Sequence, residues 1–297
     1  MSQMEYVRLG SSGLKVSRII LGCMSYGSGF SWMIEDEQEA IKQMKHAYDR
    51  GINTFDTANV YSSGESEILL GRMLKQHKIP RENVVIMTKT FFPHVFASVK
   101  ESLQRLQLDY IDVLQCHRFD KDTPIEETMQ ALHDVVKAGY VRYIGMSSCF
   151  AWQFQLMQQY ALNNGLTPFI SMQNQYNALY REEEREMMPT LEHFGVGCIP
   201  WGPLSGGKES DDQIVNIVGK IAEAREIPMV QVSLAWVLSK KFVTAPIVGV
   251  RSTDRLDEVV ASVQVKLSDE EIEAIDGAYK TQAVKGHSGL QDGVNLD

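Results

Sequence analysis

Short apolar runs alternate with amphipathic stretches along most of the 297 residues, and this pattern predicts the elements. Residues 5–9 and 14–17, separated by Gly10-Ser-Ser-Gly13, read as a small β-hairpin. Ile19-Ile20-Leu21-Gly22 reads as a first wall strand. Residues 35–50 read as an amphipathic helix, with Ala40, Ile41, Met44, Ala47 and Tyr48 at helical spacing, closed by Gly51. Ile52–Phe55 is the second strand, and a helix follows over about 66–76. Residues 84–87 form the third strand and 94–106 the third helix. Strand 111–116 precedes a helix over 125–138, with Pro124 at its start and Gly139 past its end. The remaining strands are 141–145, 169–173, 196–201 and 244–248. Helices are expected over 151–163, 182–194 (rich in surface charge), 214–225, 231–238, 253–263 and 269–279.

Eight strand–helix alternations, with short strands apolar on both faces, predict an α/β fold closed as a (β/α)8 TIM barrel. The hairpin then covers the bottom. A doubly wound sheet is the rival, but no Gly-x-Gly-x-x-Gly follows the first strand. No linker or low-complexity tract interrupts the chain, so residues 1–297 read as a single domain.

Composition narrows the function. Apolar residues make up 44% and charged residues 23%, as in an ordinary soluble globular protein. A formal net charge of −9 argues against a nucleic-acid binder. No signal peptide and no apolar run of membrane-spanning length is apparent, so a cytoplasmic protein is expected. Cys23, Cys116, Cys149 and Cys198 lie far apart beside predicted strands, as reduced thiols packed like small hydrophobes do. The seven histidines are scattered without metal-ligand spacing, so no metal is expected. Gly202-Pro-Leu-Ser-Gly-Gly207-Lys208 comes near a phosphate-binding loop, but Glu209 stands where that motif needs a hydroxyl. No Gly-x-Ser-x-Gly elbow is present.

Candidate chemistry gathers at the carboxyl ends of successive strands, where strand–helix folds place reactive groups. Asp56 and Tyr61 follow the second strand, Lys89 the third and His117 the fourth. Tyr61 can protonate a developing alkoxide. A free phenol near pKa 10 is a poor acid at neutral pH, and an adjacent Lys89 cation is expected to lower that value. Asp56 would hold Lys89, and His117 would polarise a carbonyl oxygen. Taken singly, each has a bland reading: a helix cap, a surface lysine, a structural histidine.

The combination resembles the catalytic tetrad of the aldo-keto reductases. Gly51-Ile-Asn-Thr-Phe-Asp-Thr-Ala-x-x-Tyr61 carries the resemblance most specifically. Tyr143-Ile-Gly-Met-Ser147-Ser148 is similar to the fifth-strand motif, although that motif usually ends in Ser-Asn. Gln173-x-x-Tyr-Asn177 and Pro246-Ile-Val-Gly249 through Arg255 resemble the sixth- and eighth-strand motifs. His117-Arg-Phe-Asp120, Pro124-Ile-Glu-Glu-Thr and Tyr180-Arg-Glu-Glu-Glu-Arg-Glu186 look like the microbial aryl-alcohol-dehydrogenase-like branch.

The resemblance implies reduction of a small aldehyde or ketone with NADP(H) lying across the top of the barrel. It implies that Ser147, Ser148 and Gln173 hold the carboxamide and that Trp201 stacks on the nicotinamide, with plain barrel core as the alternative for Trp201. Gly22, Met24, Asp56, Gly202, Pro203, Leu204, Gly206, Gly249 and Glu258 are implied as further cofactor contacts. Arg251 and Arg255, beside a helix amino terminus, would hold the 2′-phosphate; a solvated helix face is the other reading of Arg251. Val259 stands where the family often has an adenine-binding Asn. The connections after Lys89 and after Gly206 are shorter than the resemblance leads us to expect. Because their flanks still match at both edges, lid and pocket residues are expected to be missing from the chain as written. A regulatory subunit resembling the potassium-channel β-subunits would share the fold and the tetrad, and an isomerase could use the same acid and base.

Overall fold

A computed structural model describes residues 4–91, 94–204 and 212–287. Strands β1 (Tyr6–Arg8) and β2 (Lys15–Ser17) pair antiparallel as the expected hairpin. The wall strands are β3 (Ile20–Gly22), β4 (Thr54–Asp56), β5 (Val85–Thr90), β6 (Ile111–Cys116), β7 (Val141–Ser147), β8 (Phe169–Gln173), β9 (Gly197–Cys198) and β10 (Ile247–Val248). All pair in parallel in the order β10-β3-β4-β5-β6-β7-β8-β9. The two ends of that sheet meet where Cys198 bridges Val243, with Thr244 N donating to Cys198 O (2.8 Å) and Ile247 N to Pro200 O (2.9 Å). The barrel architecture is the one the pattern predicts.

The intervening helices are α1 (Glu37–Asp49), α2 (Glu65–Gln76), α3 (Val95–Leu106), α4 (Ile125–Lys137), α5 (Ala151–Asn163), α6 (Met187–Phe194), α7 (Asp212–Arg225), α8 (Met229–Ser239), α9 (Thr253–Ala261) and α10 (Asp269–Gly277). α1 shows how the sequence sets its ends. Asp36 caps it by accepting from Glu39 N (2.7 Å), and Gly51, at φ +91°, turns the chain into β4 where a side chain would be strained.

One expected helix is broken. Over 182–194 a single 3-10 turn, Glu182–Glu184, precedes α6, and Glu182 and Glu183 are buried rather than on a charged surface. Tyr279 Oη and Gln282 N both donate to Glu182 Oε1 (2.6 and 2.8 Å), so these carboxylates anchor the segment after α10.

Two apolar layers result. The larger lies between strands and helices. The smaller fills the barrel and includes Val85, Met87, Val113, Ile199 and Ile247, closed below by Leu9 and Val16 of the hairpin. Residues two apart on a strand share a face, so the inward row of β5 runs Val85, Met87, Lys89, and that of β6 runs Val113, Gln115, His117. The barrel interior therefore passes from apolar below to polar at its carboxyl end.

Candidate active site

β4 delivers Asp56 into the polar layer, 2% exposed, and β5 delivers Lys89, 1% exposed. The Lys89 ammonium uses its three donors on Asp56 Oδ2 (2.5 Å), Thr57 O (2.9 Å) and Tyr61 Oη (3.1 Å). The other carboxylate oxygen, Asp56 Oδ1, accepts from Gln115 Nε2 and Gln173 Nε2, each at 2.9 Å, and Gln173 Nε2 also reaches Gln115 Oε1 (2.9 Å). Both amides thereby turn Oδ2 toward the lysine. Gly145 makes room for this layer: a Cβ there would lie 2.3 Å from Ser171 Oγ and 3.2 Å from Gln115 Cγ.

Tyr61 opens a 3-10 turn, and the next three residues, Ser62, Ser63 and Gly64, all have positive φ (48°, 53° and 93°). Two consecutive non-glycine residues in this region need surrounding support. Support comes from Asn59 N on Lys89 O (3.2 Å), Ser62 Oγ on Met33 Sδ (3.6 Å), and Glu65 Oε2, which accepts from Ser28 N and Oγ (3.0 and 2.9 Å). His117 continues the β6 ladder, its N donating to Thr90 O (2.9 Å). Its ring meets Tyr61 edge-on at 5.8 Å and stacks on Phe91 at 4.7 Å. His117 Nδ1 is buried without a partner among the described residues.

Burial raises the Tyr61 phenol above its ordinary value; the Lys89 charge opposes this but does not overcome it. The expectation that Lys89 would bring the value down holds for the direction of its pull and fails for the sum, because desolvation is larger. Burial also disfavours the Lys89 ammonium, yet Asp56 and Tyr61 together hold its pKa above that of a free lysine. Burial, with Lys89 and Arg118 adding repulsion, keeps the His117 pKa far below the usual imidazole range, so this ring is neutral at pH 7. A neutral imidazole has one N–H to donate.

The implied cofactor residues form a second group around β7–β10. Ser147 Oγ donates to Gln173 O (2.8 Å), and Ser148, at φ 44°, accepts from Trp201 Nε1 at 3.0 Å. The Gln173 amide N–H is committed to Asp56 and Gln115. Trp201 is half-buried, with Gly286 close against its ring. Gly202, at φ 63°, offers its carbonyl to Asn177 Nδ2 (2.8 Å); Pro203 is buried and Leu204 half-buried, and Gly206 lies outside the described residues. Gly22 and Gly249 face each other across β3 and β10, and Met24 is exposed beyond them. Ser252 caps α9, with Arg251 and Arg255 exposed at that end and Arg255 ion-paired to Glu258. Val259, one turn beyond Arg255 on α9, is fully buried and is an apolar side chain with no hydrogen-bonding group to offer a ligand.

Sequence reasoning missed Gln115, Arg118 and Phe91. Gln115 had a signal: a polar residue midway between Val113 and His117 on one face of a buried strand.

The profile of the aldo/keto reductase family matches residues 18–280. The chain belongs to the aldo/keto reductase family. Among similar proteins are aldo-keto reductase AMT2 of Alternaria alternata, 43% identical over 97% of this chain and 95% of that protein, and versiconal hemiacetal acetate reductase of Aspergillus parasiticus, 42% identical over 95% and 98%. A Saccharomyces cerevisiae protein named for aryl-alcohol dehydrogenase, AAD16, is 40% identical over 94% of this chain and 98% of its own. A crystal structure of a thermostable aldo-keto reductase with the inhibitor epalrestat superposes with a TM-score of 0.83, at 27% identity, over 93% of this chain and 100% of that one. The match to AMT2 spans 350 positions, more than the 297 residues of this aldo/keto reductase, so the relative carries internal segments that this chain does not. The family and its reductase relatives make this chain an oxidoreductase acting on small carbonyl compounds. Among the described residues no helix is long and apolar enough to cross a membrane.

Proposed function

We propose that this protein is an NADPH-dependent reductase of aldehydes or ketones in which Tyr61 is the general acid. The observation that carries the reading is the buried Lys89 ammonium, bound at once to Asp56 Oδ2 (2.5 Å) and Tyr61 Oη (3.1 Å). Bound NADPH supplies the hydride. Tyr61 gives its proton to the carbonyl oxygen as the new C–H bond forms, leaving an alcohol and a phenolate. Lys89 stabilises that phenolate, and Asp56 fixes Lys89, itself held by Gln115 and Gln173. The neutral His117 donates its N–H to the carbonyl oxygen and orients it.

The residues present suit the cofactor. Trp201 presents a half-exposed indole whose N–H is fixed on Ser148, a surface for a nicotinamide ring. The capped amino terminus of α9, with Arg251 and Arg255, suits a 2′-phosphate, and the Arg255–Glu258 pair, being exposed, costs little to open. Gly22, Met24, Ser147, Gln173, Gly202, Pro203, Leu204 and Gly249 would line the remainder, with Gln173 serving chiefly through Asp56. The yeast relative's name points to aromatic substrates. Four buried, unpaired cysteines suit a reducing compartment, and we place the protein in the cytoplasm as one domain, with no nucleic-acid partner.

The test is the fall in NADPH absorbance with a panel of aromatic and aliphatic aldehydes, alongside NADPH titration by tryptophan fluorescence. Turnover with NADPH well above that with NADH is expected. Tight NADPH binding without turnover of any carbonyl would overturn the enzyme reading in favour of a regulatory subunit.

A further inference from the structure

Arg118 follows His117 directly at the carboxyl end of β6, on the lip of the barrel away from Trp201 and Gly249. Its side chain is half-buried, and its one hydrogen bond among the described residues runs from Nη1 back to the His117 carbonyl at 2.6 Å. Other arginines drawn into the protein are matched. Arg81 meets Asp112, Arg105 meets Glu67, Arg181 meets both Glu184 and Asp276, and Arg18 ends on the carbonyls of Leu238, Val243 and Thr244. Among the described residues Arg118 has no carboxylate partner. The ionisable groups whose fields favour its charge are Tyr61 and Cys149, both protonated near neutral pH because burial raises them.

A guanidinium partly withdrawn from water, with most of its donor fork free of protein partners among the described residues and still open to solvent, is suited to receive an anion. Burial accordingly lowers the Arg118 pKa. The direction in which a partner can come is limited. The backbone side is taken by the His117 carbonyl, and the groups that feel Arg118 are Tyr61, His117 and Cys149, the first two of which bracket the reacting oxygen in the function proposed above. A ligand held by those two residues therefore lies within the field of Arg118.

We propose that Arg118 is a specificity-determining residue that binds a carboxylate carried on the same molecule as the reacting carbonyl. The preferred substrates are then acidic carbonyl compounds, such as a formyl- or keto-substituted carboxylic acid, rather than their neutral counterparts. The guanidinium fork can accept both oxygens of a carboxylate, whereas an ester offers it a single weak acceptor. This inference rests on the carbonyl-reductase reading for where the substrate sits.

The experiment compares 2-, 3- and 4-carboxybenzaldehyde, each against its own methyl ester, in NADPH-dependent reduction. Wild-type protein should prefer at least one acid over its ester by about ten- to a hundredfold in kcat/KM, the discrimination of a charge-assisted contact. In Arg118→Leu the acid-to-ester ratio should fall to near one. In Arg118→Lys, which keeps the charge and loses the fork, the ratio should be intermediate. A wild-type protein without preference for any of the three acids would overturn the assignment. So would an Arg118→Leu variant that keeps the wild-type ratio, which would show that the residue serves Tyr61 or the fold instead. Calorimetric binding of the three hydroxymethylbenzoates to the NADPH-loaded protein separates the two claims. If no carbonyl is turned over but benzoate binding is lost on Arg118→Leu, the enzyme reading fails and the anion site stands. If benzoate binding is equal in both proteins, the anion site fails whatever the turnover.

Discussion

Replacing Lys89 by Met removes a buried cation while keeping an unbranched side chain one heavy atom shorter, and its consequences follow from three contacts. Among the described residues Asp56 loses the only donor on Oδ2, Thr57 O loses its 2.9 Å partner, and Tyr61 loses a positive charge 3.1 Å away. Asp56 is 2% exposed and would keep only the two amide donors on Oδ1. Breaking a buried ion pair from one side costs about 3–5 kcal/mol, because the remaining charge is left uncompensated. With an unfolding entropy of about 2 cal/mol/K per residue, a chain of this length should lose about 5–8 °C in Tm at pH 7.

The pH dependence gives the sharper check. In wild type the Lys89 pKa is raised on folding, so its contribution is complete below about pH 10 and is lost only as the pH climbs through the folded value. In Lys89→Met the unpaired Asp56 should instead take up a proton in the folded state, its pKa pushed above the unfolded value of about 3.9. The folded variant then binds a proton that the unfolded chain releases, so its deficit should shrink as pH falls from 7 toward 4. Adding Asp56→Asn should recover most of the loss at neutral pH. The assay is thermal melting of the wild type, both single variants and the double variant between pH 5 and 8. A Lys89→Met deficit below about 1 kcal/mol, or one that does not change with pH, would refute the reasoning.

Four further outcomes are expected. Tyr61→Phe should cut carbonyl reduction by about a hundred- to ten-thousandfold while NADPH titration stays near wild type; retention of more than about a tenth of turnover removes Tyr61 as general acid. Arg255→Ala should weaken NADPH binding about ten- to a hundredfold and leave NADH nearly unchanged, and equal losses would mean that Arg255 does not read the 2′-phosphate. Gly145→Ala should cost about 1–3 kcal/mol in a denaturant melt by forcing Ser171 and Gln115 apart, with partial rescue by adding Ser171→Ala. His117, whose pKa is depressed on folding, binds its proton more readily in the unfolded chain, so wild type should lose up to about 1.4 kcal/mol per pH unit below about pH 6.5, and His117→Gln should flatten that slope.

The barrel was legible because each wall strand is an apolar run bounded by a turn residue, and because the strand ends carry the reactive side chains. β6 falls on Ile111–Cys116 as the pattern predicts, and β8 on Phe169–Gln173. The closing strands were harder to bound: β9 and β10 form two residues of ladder each, since closure there runs through individual bonds at Thr244 and Ile247. Glu182 and Glu183 were read as surface because three consecutive glutamates favour solvent. Only the folded chain shows that Tyr279 and Gln282 meet Glu182, and His287 meets Glu183 at 2.8 Å, from 97 to 104 residues away. The contact of Lys89 with Tyr61 was legible from strand order. The net direction of the phenol's shift was not, because it depends on how much water the barrel excludes.

That balance bears on how the site would work as an acid in the proposed reaction. A phenol drawn down by a dominant cation would spend more time as phenolate and hold fewer protons to give. Here burial keeps Tyr61 protonated in the free protein while Lys89 stands 3.1 Å away, ready to stabilise the charge that appears once the proton leaves. In the proposed reaction the lysine would therefore do more for the state after proton transfer than for the state before it, which is the differential that accelerates a step. The surrounding charges point the same way. Asp56 and Lys89 cancel, His117 is neutral, and Arg118 leaves one positive charge without a counter-ion among the described residues beside Tyr61 and His117. In the proposed reaction an oxygen gaining negative charge during hydride addition would meet a field already arranged for it, with no side chain having to reorganise. Gln115 and Gln173 complete the arrangement from below: by occupying Asp56 Oδ1 they leave Oδ2 to Lys89 and keep the ammonium from sliding away from the phenol. The two glutamines touch neither the proton nor the carbonyl. Their place in the barrel nevertheless sets the distance on which the proposed acid would depend.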